Sequence, residues 1–188
     1  MMGSEQMETN KKRIIWITRT GILVALLIAV QWLTAGTQAF AGQYITGSLV
    51  NCILAISVLF GGLWSGVAVA ALSPVCAFLL GIGPKVIQVV PAIALGNLVL
   101  VMALHILLPV WPMPVWRKVI AIAVSAAAKF VMLYLAVVQV LIPAMGPSLP
   151  EKQAAAFSVM FSYPQLITAI IGSTLAMLLL PVLRKAIK

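Results

Sequence analysis

The chain has no aspartate, one histidine (His105), two cysteines (Cys52 and Cys76) and three acidic residues, Glu5, Glu8 and Glu151. Each scarcity closes a class of chemistry. One histidine without an aspartate cannot build a Ser-His-Asp triad. Neither a paired-carboxylate site nor the metal motif H-E-x-x-H occurs. The cysteines lie in apolar segments, without the spacing or histidine neighbours of a metal site, and read as buried, reduced and structural. No Walker sequence is present, so any ATP-driven work falls to a partner. The expectation is a protein that is not an enzyme and holds no cofactor or metal.

Charge is scarce too: 8% of the 188 residues are charged, against 63% hydrophobic, with a mean hydropathy of +1.17. That is more apolar surface than one soluble core hides, which places the chain among integral membrane proteins. The net charge of +9 does not mark a nucleic-acid surface. Its lysines and arginines flank apolar runs and do not line one polar face or interleave with aromatics.

A span needs about twenty apolar residues, somewhat fewer where the bilayer thins. Six runs qualify: Ile14–Leu33, Gly47–Phe60, Ser65–Ile82, Val86–Leu108, Val119–Ile142 and Ala156–Leu183. "FGGLWSG", "GIGPK" and "PVWPMPVWRK" punctuate three of the breaks. The segments do not alternate in polarity as barrel strands do, and backbone groups in lipid must bond within their own segment. The predicted fold is therefore an all-α integral membrane protein, a compact bundle of six transmembrane helices over residues 14–188, behind a cytoplasmic tail at 1–13. The first run is too long for a signal peptide and lacks a clean cleavage site, so it reads as a retained span.

Basic residues favour the cytoplasmic side. Lys11, Lys12, Arg13 and Arg19, then Arg117 and Lys118, then Arg184, Lys185 and Lys188 share one side only if an even number of spans separates them, as this count gives. Both termini are predicted inside a plasma membrane. Lys85, the Glu151–Lys152 pair and two longer connections, Thr34–Thr46 and Pro143–Ala155, then fall outside.

Lys129, in "SAAAKFVMLY", lies about 15 to 18 Å into the fifth span, near the midplane. Snorkelling serves lysines near helix ends, so an ionisable residue at this depth marks a ligand cavity. The alternative is a lysine satisfied by amides or carbonyls of the bundle. Asn97 reaches the midplane from the fourth span, as a cavity partner or as interhelical glue. His105, near the cytoplasmic end, reads as interfacial. On the outer half stand Gln31, Gln38, Gln43, Tyr44, Asn51 and Tyr134, with Trp32, Gln139, Tyr163 and Gln165 nearby. Such amides and aromatics bind a polar, ring-bearing solute, and their crowding into one half predicts an externally open pocket and not a pore. In the first span Gly21, Ala25 and Ala29 recur every four residues, a strip of small side chains that admits another helix.

The six short spans, the A-x-x-x-A strip and the uncharged polar first loop resemble the substrate-binding S components of energy-coupling factor (ECF) transporters, a type of ABC importer. "TGSLVNCILAISVLFGGLWSGVAVAALSP" and "PAIALGNLVL" look like that family's second-to-fourth helix region. The resemblance implies a membrane-embedded vitamin-binding subunit. It would dock through Ala25 and Ala29 on a transmembrane coupling protein with two cytoplasmic ATPases, and topple in the bilayer to release its solute. The chain looks most like the cobalamin-type members. Pantothenate is the alternative, since its carboxylate would pair with Lys129. Outside the family, a solitary secondary carrier or a scaffold remains open, although a proton-driven carrier ordinarily uses intramembrane acids that this chain does not have.

Overall fold

Apolar segments in hydrocarbon satisfy their backbones as helices, and every expected span is helical in the computed structural model, which describes residues 2–35, 40–109 and 112–186. In chain order the elements are α1 (Met2–Thr34), α2 (Phe40–Gly61), α3 (Leu63–Leu79), α4 (Val89–Leu107) and α5 (Val115–Leu133). A π-helix over Tyr134–Leu141 continues α5 into the single turn α6 (Ile142–Met145) and a 3-10 turn at Gly146–Ser148. Then come α7 (Glu151–Met160) and α8 (Tyr163–Ala186). Among the described residues no strand occurs. Five helical stretches are long and apolar enough to cross a membrane, and Leu63–Leu79 is a shorter sixth. The chain is a multi-pass, all-α membrane bundle.

Several boundaries differ from the sequence expectation. Helix α2 begins at Phe40, so Gly42–Thr46 form its opening turns where a loop was expected. A long-range bond supports this start: the Gln43 side chain donates to the Met160 carbonyl at 3.1 Å, tying the start of α2 to the end of α7. The last span opens at Tyr163 and not at Ala156, because the chain leaves the helix at Phe161 and Ser162 before Pro164. Proline suits a helix's first turn, where its missing N–H costs nothing. The residues before that break form the separate helix α7. At the other end, α1 extends back through the polar segment expected as a tail, with a Lys12–Glu8 ion pair of 2.8 Å one turn apart.

Polarity is arranged inside out. Ile22, Leu26, Trp64, Leu79, Ile106, Leu178 and Val182 are exposed, while Gln31, Asn51, Asn97, Lys129, Thr168 and Ser173 are buried. Helix α2 is the axis, with every residue from Asn51 to Val58 buried. Its main neighbour is α8, and Gly172 permits the approach. A Cβ at that position would stand 2.6 Å from Asn51 Cβ and 2.7 Å from the Cys52 backbone nitrogen. A single residue, Gly62 at φ 88, turns the chain from α2 into α3.

Helix α1 lies at the periphery. It buries Thr20, Leu23, Leu27 and Gln31, one face at three- and four-residue spacing, against α2 and α3. Thr20 Oγ1 and Ser65 Oγ share a hydrogen bond of 2.6 Å across that contact. At the end of the bundle that holds the termini, the Arg19 guanidinium covers the Phe60 ring at 4.9 Å, and Arg184 Nη2 donates to the Leu59 carbonyl at 2.8 Å.

Candidate functional site

Lys129 stands near the middle of the continuous helix from Val115 to Met145 and is 3% exposed. Its Nζ donates to Asn51 Oδ1 at 2.6 Å and to Asn97 Oδ1 at 2.7 Å. Both distances are those of charge-assisted bonds. Each asparagine is anchored in turn. Asn51 Nδ2 donates to Thr168 Oγ1 at 3.3 Å, and Asn97 Nδ2 to the Ala70 carbonyl at 3.5 Å. That carbonyl is open because Pro74, four residues on, has no N–H to return to it. One polar chain thus joins α8, α2, α5, α4 and α3 through buried groups, each supplied by a different helix.

Lys129, Asn51 and Asn97 line a chamber of about 140 Å³ together with Gln31, Ser73 and Phe78. Gln31 Nε2 donates to the Ser73 carbonyl at 3.1 Å, while its Oε1 is buried without a partner. Toward the helix ends this chamber adjoins a second, of about 320 Å³, with Gly47, Gly83, Pro84, Ile93 and Gln165 common to both walls. Thr34, Gln43, Met160 and Phe161 complete the outer one. Gln43 and Gln165 both donate to the Met160 carbonyl, each at 3.1 Å, and hold α2, α7 and α8 together at its rim.

Toward the termini comes an apolar core. Leu27, Leu54, Leu100 and Leu104 have no exposed surface, and they belong to one continuous apolar packing that includes Ala126 and Ala176. The two chambers form a well at the end of the bundle away from the termini, mostly apolar in its lining, with Lys129, Asn51, Asn97 and Gln31 as the polar groups of its inner part.

The residues singled out in sequence therefore fall into groups. Gln31, Asn51, Asn97 and Lys129 meet at the inner chamber, and Gln43 lines the outer one. Tyr44 lies half-buried beside Tyr163, outside either lining. Tyr134 is half-buried at the start of the π-helix, receives a 3.1 Å bond from Gln139 Nε2 and stacks obliquely near Phe130. Gln38 lies outside the described residues. Gly21, Ala25 and Ala29 are exposed on the outer face of α1. His105 borders a small recess at the termini end, with Arg184 and Phe60.

Sequence reasoning passed over Ser73, Pro74 and Thr168, which frame the lysine's surroundings. The signals were present: a proline within an apolar span, and small hydroxyl residues on spans three and six. In comparisons with family models, curated proteins and solved structures, nothing matches this chain.

Proposed function

We propose that this chain is the solute-binding membrane subunit, the S component, of an ECF-type vitamin importer, docking on a coupling protein and two ATPases. The observation that carries the solute-binding part is the well, a largely apolar cavity on which a lysine and several amides converge. An apolar core with packed leucines closes it toward the termini, which is the form of a receptor and not of a pore. The subunit assignment leans on the resemblance in helix order and on the small-residue strip of α1, which faces outward with nothing packed over Gly21.

Within that class, the well's volume favours a compact vitamin such as pantothenate over the cobalamin expected from sequence. Small-molecule pockets occupy roughly 300–1,000 Å³; the outer chamber, about 320 Å³, lies at the low end of that range and the inner one, about 140 Å³, below it. A corrinoid would require α2, α4 and α8 to part, against the close contact at Gly172. By the distribution of basic residues, the well opens outside the plasma membrane and both termini are cytoplasmic.

Co-expression with the coupling protein and ATPases tests the assignment. Uptake should require all partners, whereas a solitary carrier would transport without them. Replacing Ala25 and Ala29 together with leucine should prevent co-purification of the complex and leave solute binding by the isolated subunit intact. Persistence of the complex would remove α1 as the docking face.

A further inference from the structure

An ammonium group carries three N–H donors, and Lys129 directs two of them to Asn51 and Asn97. The residue also lines the inner chamber, which leaves its third donor available to a solute there. Both asparagines present oxygens to the lysine, so they supply dipoles and no countercharge. Among the described residues no acid forms an ion pair with Lys129, and Glu8 is paired with Lys12. An unbalanced charge at midplane depth is costly. Beside it, Gln31 contributes the opposite need, a buried Oε1 with no donor.

We infer that the inner chamber is an anion subsite for a monocarboxylate solute that also carries an O–H or N–H donor near its acid group. Lys129 takes the carboxylate with its free N–H, and Gln31 Oε1 takes the donor. A single lysine balances one negative charge, which fits a carboxylate better than a phosphate dianion, whose sites recruit arginines or several backbone N–H groups. About 140 Å³ accommodates the acid end alone, and the rest of the solute extends into the outer chamber. This inference rests on the solute-binding reading above and sharpens it by fixing the ligand's charge and its orientation in the well.

The test uses the full chain in lipid nanodiscs, with binding measured for two acids that carry such a donor and for their neutral counterparts: pantothenate and pantothenol, lactate and lactamide. Native mass spectrometry identifies any solute retained on purification. The expected result is that a retained or added acid binds about 100-fold more tightly than its neutral counterpart, the scale of losing one partner of a buried charge pair. Lys129→Met should abolish that preference. Gln31→Glu, which keeps the side-chain volume and places a negative charge in the chamber, should do the same if the lysine variant does not fold. Equal binding of acid and neutral forms, retention of a neutral solute, or an acid preference surviving in both variants would overturn the anion subsite and leave the receptor intact. No bound solute of either kind overturns both.

Discussion

At the scale of single residues, the molecule's central fact is a lysine ammonium held at mid-membrane by two amide oxygens. Hydrogen bonds to charged groups contribute about 1.5–3 kcal/mol each, so Asn97→Leu should destabilise the protein by about 2 kcal/mol in detergent unfolding. Part of that loss is the penalty of leaving Lys129 short of an acceptor. Combining Asn97→Leu with Lys129→Met should therefore cost less than the sum of the two single changes, by about 1 kcal/mol or more. Strict additivity in the double-mutant cycle would mean that the 2.7 Å bond carries no energetic coupling. Asn51 obeys the same logic through its 2.6 Å bond, with Thr168 as its second anchor.

At the scale of elements, two local irregularities breach ideal helix rules, and the first of them shapes the site. Pro74 opens a carbonyl inside α3 that Asn97 then occupies, and the π-winding after Leu133 brings Gln139 beneath Tyr134 five residues earlier. Pro74→Ala would restore the intrahelical donor to Ala70 and release Asn97 Nδ2. Solute affinity should fall several-fold while the protein stays folded, and unchanged affinity would detach α3 from the site. The α2–α8 contact is less forgiving. Gly172→Ala sets a methyl against the α2 backbone, and overpacking of this kind costs about 1–3 kcal/mol. Because the collision falls beside Asn51, this variant should lose binding together with stability. Gly62→Ala meets no atom and incurs only the cost of a backbone region, φ 88 and ψ 173, essentially confined to glycine, about 1–3 kcal/mol. It should lower stability without altering affinity, which separates the two glycines in one pair of measurements.

At the scale of the whole molecule, an apolar core separates the well from the end of the bundle that holds the termini, where a separate recess lies beside His105 and Arg184. The apolar core that contains Leu54, Leu100 and Leu104 closes the well, so passage of a solute requires that core to open or the whole body to reorient. The toppling implied by the family resemblance avoids opening the core, but brings polar helix ends toward lipid, where only a partner can shield them. Sidedness is directly measurable. Single cysteines replacing Lys85 or Glu151 in a chain with Cys52 and Cys76 changed to serine should react with an impermeant maleimide from outside intact cells, and a cysteine replacing Arg117 should not. The reverse pattern would turn the well toward the cytoplasm and exclude import by this route.

Composition alone decided the membrane and the helices, because 63% hydrophobic residues in six long runs leave a chain no soluble solution. Depth counting also placed Lys129 and Asn97 at one level, since the helical rise is a constant. It could not tell which residues face one another, because that depends on the rotation of each helix about its axis, and rotation is set by packing. Only the tertiary structure brought Asn51 to the lysine, left Gln31 Oε1 without a donor, turned Tyr134 away from the well and the Gly21–Ala25–Ala29 strip toward lipid. It also recast the polar stretch after Thr34, because the bonds that extend α2 back to Phe40 come from α7 and α8, more than a hundred residues later in the chain.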